Sequence, residues 1–197
     1  MPAFTPAALR QYGAAARALL VLTVLLGLAY PLAVTGVGQV LFPAQADGSL
    51  IRGAGGGVAG SALIGQNAEG AEWFHPRPSA AGEDGYDGAA SSASNLGPNS
   101  EELREAVAQR RAAVAAEEGV APDAVPPDAV TASASGLDPH ISPEYAALQA
   151  DRVAAARGMS AEEVGGLIAE HTDGRALGFI GSPAVNVVTL NAALAAG

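Results

Sequence analysis

The chain of 197 residues has no cysteine and no lysine. Lack of cysteine excludes a disulfide framework, thiolate chemistry and a lipid anchor on an N-terminal cysteine. The fold must therefore hold by packing alone, even in an oxidising compartment. All ten basic residues are arginines, set against twenty acidic residues, and the net charge is −10. With so many Ala and Gly, the missing lysine reads as compositional bias and not as a functional device. A basic face is absent, which argues against a nucleic-acid partner. Phosphate-loop chemistry is excluded as well. The glycine-rich stretch from Ser49 to Gly60 lacks a GK[ST] ending and reads as a flexible loop. His75, His140 and His171 are scattered without H-x-x-x-H pairing, so their spacing supports no metal site.

Charge is missing altogether between Arg17 and Asp47. Residues 18–40 read ALLVLTVLLGLAYPLAVTGVGQV, 23 residues without a charge. A helix of that length spans roughly 34 Å, enough for a bilayer core of about 30 Å. One transmembrane helix over residues 18–40 is therefore expected. Arg10 and Arg17 are the only charged side chains before it. All twenty acids follow it with eight arginines, a net charge of −12. Short basic flanks stay in the cytoplasm. Residues 1–17 then form a cytoplasmic lead, and residues 43–197 form an extracytoplasmic domain on a single-pass anchor in the cell membrane. A cleaved signal peptide is the competing reading, with Ala44-Gln45-Ala46 as a small-x-small pattern. Its apolar region would span about 7–15 residues, shorter than this run. Within the helix, Thr23, Gly27 and Tyr30 fall on one face at i, i+4 and i+7. Small residues there would let another membrane helix approach closely. Pro31 removes one backbone bond and predicts a kink.

Mixed signals follow the anchor. Leu63 to Gln66 and Trp73-Phe74 read as short strands. Ala80 to Pro98 reads as a long surface loop. Ser100 caps a helix running to Glu118, and Gly119 ends it. Pro122, Pro126 and Pro127 mark a connector, Val130 to Ser133 a strand, and Gly136 to Pro139 a turn. Ser142-Pro143-Glu144 starts a helix that ends at Gly158. Ser160 with Glu163 forms a capping box for another. Val185 to Val188 reads as a strand, and Asn191 to Ala196 as a last helical turn. Strands and helices mix without βαβ alternation, so the fold class is α+β: one N-terminal transmembrane helix and one soluble mixed domain. No internal repeat is visible.

The densest set of reactive residue types lies between Thr131 and Ser142, with Asp138 and His140. A nucleophilic triad converges from separate segments, and no G-x-S-x-G elbow is present. The block reads better as an Asp-Pro turn, with Asp138 bonding backbone amides and Ser142 capping a helix. Gln66, Asn95, Asn99, Asn186 and Asn191 are amides beside apolar runs. They would satisfy backbone groups at chain crossings, or present a polar surface to a partner.

Several blocks resemble one family. They are Gly60-Ser-Ala-Leu-Ile-Gly-Gln66, Trp73-Phe-His-Pro-Arg-Pro-Ser-Ala80, Ser94-Asn-Leu-Gly-Pro98, the thirteen residues 130–142, Gln149-Ala-Asp-Arg-Val-Ala154 and Val185-Asn-Val-Val-Thr-Leu-Asn191. Their order along the chain resembles the C subunit of the Kdp-type potassium-transporting ATPase. The resemblance implies a non-catalytic subunit of a high-affinity potassium import complex. Its partners would be a channel-like A subunit, a P-type ATPase B subunit and membrane lipid. The family is also described as raising the B subunit's affinity for ATP, and Gln149 is the matching glutamine. ATP would then lie at the interface with the B subunit, yet the charge rule puts Gln149 on the other side of the membrane from cytoplasmic ATP. Met159-Ser-Ala-Glu-Glu163 departs from the family's L-S-x-x-Q by a Glu for Gln, and Asn99-Ser-Glu101 departs from its Thr-Asn-Pro. Partner-contact candidates are Thr23, Gly27, Tyr30, Gln66, Arg77, Asn95, Asp138, His140 and Asn186. Two other readings remain open: an anchored hydrolase using Asp138 and His140, and a generic binding module.

Overall fold

A computed structural model describes residues 6–53 and 56–196. Residues 1–5 of the lead and Gly55 of the glycine-rich run lie outside the described residues. The chain divides after Ser49 into two units. In the first, helix α1 (Pro6–Leu22), a π-helical turn (Thr23–Ala29) and α2 (Tyr30–Leu41) make one continuous apolar helix, followed by the short α3 (Pro43–Ala46). The helix is long and apolar enough to cross a membrane, and its most apolar window is wholly unburied. Pro31 explains the π turn. It has no N–H, and its ring crowds the carbonyl four residues back. The preceding turn widens, so that the Tyr30 N–H donates to Leu25 O, five residues back. Thr35 Oγ1 donates to the Pro31 carbonyl at 2.8 Å, binding the turn after the proline.

Ser49 to Gly60 is not merely a loop. Leu50–Arg52 (β1) and Val58–Ser61 (β2) form an antiparallel hairpin, with a bulge between Ile51 and Arg52. Glycines at the turn release the chain to reverse, and the short apolar stretches on either side pair. The strands expected at Leu63–Gln66, Trp73–Phe74 and Val130–Ser133 do not form. Each segment finds other partners for its backbone. Pro127 starts a 3-10 turn that carries Val130 and Thr131 into bonds with Pro127 O. Ser133 N then donates to Pro78 O.

The observed sheet has order β3–β5–β4, all antiparallel: His140–Ile141 (β3), Thr172–Asp173 (β4) and Ala184–Asn186 (β5). The strand expected to reach Val188 stops at Asn186. The Asn186 side chain accepts the N–H groups of Val188 and Thr189 at 3.1 Å each, and so caps α7 (Val187–Ala196), which is longer than expected.

The remaining helices follow their caps. Ser100 Oγ accepts Leu103 N–H at the start of α4 (Glu101–Glu118), and Gly119 ends it at φ +66°. Ser142 caps α5 (Pro143–Arg157), which Gly158 stops. Ser160 and Glu163 make the reciprocal capping box of α6 (Ala161–Glu170). The Glu163 carboxyl is held below its usual range by the Ser160 backbone and hydroxyl bonds. Tyr145, Val153, Val164, Val185 and Leu190 bring α5, α6, α7 and the sheet into one core. Full burial of a side chain such as Leu190 stabilises by about 1.5–3 kcal/mol. The loop 80–98 has no regular element but is stapled to the core region. Ser92 N and Ser91 Oγ both donate to Ser135 O, and Ala81 is fully buried.

Candidate functional site

Three groups of residues singled out in the sequence occupy different places. The first lies on the membrane helix. Thr23 and Gly27 are neighbours there: a Cβ on Gly27 would stand 3.8 Å from Thr23 Cγ2, an ordinary contact. Among the described residues, nothing crowds this position enough to require a glycine. Tyr30 is exposed at the end of the π turn.

The second group is the conjunction of Arg77, Asp138, His140 and Asn186. Arg77 pairs with Asp138 Oδ2 at 3.1 Å and donates to Thr131 O at 3.3 Å. The other oxygen of Asp138 accepts the His140 backbone N–H at 3.0 Å and sits 3.3 Å from His140 Nδ1. His140 is paired with Asn186 in the β3–β5 register. Asn186 Nδ2 reaches Ala62 O, tying the sheet to the segment after β2. Tyr86 donates its hydroxyl to Arg77 O at 2.6 Å. Burial first, then the Asp138 charge, pushes the Tyr86 phenol above its ordinary range, so it stays a protonated donor. Two glycines are needed by close approach. A Cβ on Gly65 would lie 2.6 Å from the Asp138 carbonyl, and Gly136, at φ +66°, presses on Ala81 and Ser92 O.

Beside this ion pair runs an open groove of about 640 Å³, lined by Arg77, Asp123, Asp128, Asp138, His140 and Glu144 among others. It does not assemble a triad. Ser142 donates its hydroxyl to Asp128 Oδ1 at 2.9 Å and accepts Tyr145 N–H at 3.0 Å. Asp128 Oδ2 accepts the Ser142 N–H at 2.7 Å. Ser135 Oγ accepts Leu137 N–H, and Ser133 is buried. The serines of the block thus serve turns and a cap, and Asp138 bonds a turn amide as expected. Among the described residues, no group of His, Asp and Glu could hold a metal ion.

The third group was only partly visible in the sequence. The segment Phe74–His75 lies in no strand and pairs with none. Two side-chain amides replace one. Asn191 takes both backbone groups of Phe74 at 2.9 Å. Gln149, 0% exposed, accepts His75 N–H at 2.6 Å and donates to His75 O at 3.1 Å. Arg152 closes the arrangement. Its guanidinium donates to Gln149 Oε1, Glu118 Oε1, Ala71 O and Trp73 O, all within 2.8–3.0 Å. Arg157 lies 4.2 Å from the Trp73 ring centroid and donates to Glu72 O and Leu194 O. The Glu118 side chain is 2% exposed and, among the described residues, its Oε2 has no hydrogen-bond partner. Desolvation raises its pKa, and the Arg152 bond and charge oppose the shift. Gln66 and Asn95 are exposed on the surface, apart from this arrangement, with Asn95 Nδ2 donating to Ala93 O.

A family described as "K+-transporting ATPase, c chain" matches residues 12–196. The chain belongs to this family. A potassium-transporting ATPase KdpC subunit of Kineococcus radiotolerans is 61% identical over 186 residues, covering 94% of this chain and 93% of that protein. The subunit of the same description from Mycobacterium tuberculosis is 57% identical over 94% of this chain and 97% of its own length. One from Myxococcus xanthus is 54% identical, over 91% and 85% respectively.

The structure agrees with the fold class read from the sequence, an apolar helix followed by a mixed helix and sheet domain. Within this KdpC-family chain, the amide clamp joins two of the blocks that carry the resemblance, at Trp73–Ala80 and Gln149–Ala154. Arg152 and Glu118 gave little warning of their roles. A charged pair is ordinarily solvated, and only the packing of α4 against α5 withdraws this one from water. The available signal was spacing: Arg152 lies three residues from Gln149, on the same helical face.

Proposed function

We propose that the chain is a non-catalytic, membrane-anchored subunit of a potassium-transporting ATPase complex, acting by assembly and bracing. The observation that carries this reading is the family match over residues 12–196, joined to a long apolar helix whose most apolar window is unburied among the described residues. Its partners are a channel-like potassium-carrying subunit and an ATP-hydrolysing subunit. The basic flank of the helix and the acidic domain favour a cytoplasmic N-terminus and an extracytoplasmic domain. Thr23, Gly27 and Tyr30 are the candidate helix-packing face. Arg77, Asp138 and His140 form a polar surface for a neighbour, with Gln66 and Asn95 as further exposed contacts; Asn186, expected among them, is buried and bonds Ala62, Val188 and Thr189 instead.

Any effect on the ATPase's nucleotide affinity acts through assembly in this reading, without contact between ATP and Gln149. The burial of Gln149 and its bonds to His75 and Arg152 support that assignment. The anchored hydrolase has weaker support, because the serines nearest His140 serve as caps. Deleting the chain tests the proposal. Growth and ATPase activity at limiting potassium should fall, and detergent extraction of the intact chain should recover a P-type ATPase. Undiminished potassium uptake without the chain would refute it.

A further inference from the structure

Strands β4 and β5 are joined by residues 174–183, all exposed. Most connections of this kind are polar, but this one carries Leu177, Phe179 and Ile180 at its tip, exposed by 83%, 73% and 51%. The tip is not slack. Ala176 and Ile180 exchange both backbone bonds at 2.9 Å, and Gly178 N donates to Arg175 O. Leu177 is held at φ +54° between these bonds, a conformation that a leucine adopts only when the surrounding turn imposes it. The fold thus holds a strained, shaped apolar knob out in solvent. Clusters of large apolar side chains on an otherwise polar surface mark contact sites.

We propose that the Leu177–Ile180 tip is a docking knob that seats in an apolar socket, rimmed by basic side chains, on a neighbouring protein subunit of the same membrane complex. This rests on the reading that the chain is a subunit. Two observations favour protein over lipid. The turn has a defined shape, which a socket can match and a fluid bilayer does not need. The charge around it is unsuited to an anionic bilayer: the exposed Asp173 and Glu170 at its base outnumber the exposed Arg175 of the loop, and the chain beyond the anchor carries a net −12. The same charge suits a basic rim.

The absence of cysteine makes the test direct. Phe179→Cys is placed in the full chain, with Glu105→Cys on the exposed face of α4 as reference. Maleimide labelling is timed in the intact complex, in the isolated chain in detergent, and in the isolated chain in phosphatidylethanolamine–phosphatidylglycerol vesicles. Labelling of the Phe179→Cys chain should slow by about tenfold or more only in the complex, as expected for a contact that excludes water. A cross-linker with a maleimide at one end and a photoreactive benzophenone, which inserts into C–H bonds, at the other should join the introduced thiol there to another subunit. Equal rates in complex and free chain would overturn the proposal. Equal protection in vesicles without partners would assign the tip to the bilayer and also overturn it. Loss of assembly by Leu177→Ser/Phe179→Ser, with unchanged Trp73 fluorescence, would support it. If the unaltered chain recovers no partner subunits, the subunit reading itself falls, and this inference with it.

Discussion

Gln149→Leu separates a structural glutamine from a nucleotide contact. Leucine is close in size, so the core at α5 stays filled. It removes the acceptor of His75 N–H and of an Arg152 N–H, and the donor to His75 O. Each buried polar group left unpaired costs about 1–3 kcal/mol. His75 and Arg152 lie near enough to the surface for water to recover part of this, so a total of about 3–4 kcal/mol is expected. For a domain of this size that corresponds to a midpoint lower by roughly 6–16 °C. Trp73 is the only tryptophan and sits beside the clamp, bonded through its carbonyl to Arg152. Its fluorescence during denaturant or thermal unfolding of the full chain in detergent therefore reports the loss directly. Asn191→Leu, which strips the same two bonds from Phe74, should cost a similar amount. A change below about 1 kcal/mol for Gln149→Leu would refute the clamp, since that is less than one unpaired group. Intact stability with weakened ATP affinity in the complex would return the residue to nucleotide binding.

Three further outcomes follow from named contacts. Burial raises the Glu118 pKa, so the folded chain binds more protons than the unfolded chain above the usual carboxylate range. That contribution to stability is full at low pH and is lost as pH rises through the folded pKa. The stability of wild type relative to Glu118→Gln should therefore decline with rising pH in denaturant titrations, and a rising difference would contradict the assignment. Gly158 and Gly136 share a left-handed backbone, but only Gly136 is crowded. Gly158→Ala should cost about 1 kcal/mol and Gly136→Ala about 3 kcal/mol or more in the same titrations. Among the described residues, a Cβ at Gly27 would meet only Thr23, at ordinary contact distance. Gly27→Leu should leave thermal unfolding of the outer domain unchanged while lowering recovery of partner subunits from detergent; equal recovery would place assembly in the outer domain alone.

Local chemistry wrote parts of this fold plainly. Ser100, Ser142 and Ser160 each cap the helix that follows, because a cap needs only a side-chain oxygen and the next turn of amides. Gly119 and Gly158 stop helices for an equally local reason. Strands were harder. Trp73–Phe74 has strand-like residues, but Trp73 O accepts from the Arg152 guanidinium 79 positions away and Phe74 pairs with the Asn191 amide 117 positions away. Val130 to Ser133 is β-branched at its start, yet Pro127 captures it in a turn. The glycine-rich stretch hid a hairpin because pairing depends on what lies opposite, and a one-strand pattern does not contain that.

The candidate site divides the same way. Asp138 as a turn-forming acid and Ser142 as a cap were legible, since both act within four residues of themselves. That Arg77 meets Asp138 across 61 positions, or that Arg152 gathers Gln149, Glu118 and two carbonyls, was not.

The amino-acid order alone determined that an uncharged helix precedes an acidic mixed domain, because hydropathy, charge and helix caps act over short spans of chain. Only the folded arrangement decided which polar side chains are withdrawn from water and which apolar ones are left in it. Gln149 is sealed inside and Phe179 held outside for one reason: burial depends on what packs alongside, and those neighbours come from distant parts of the chain.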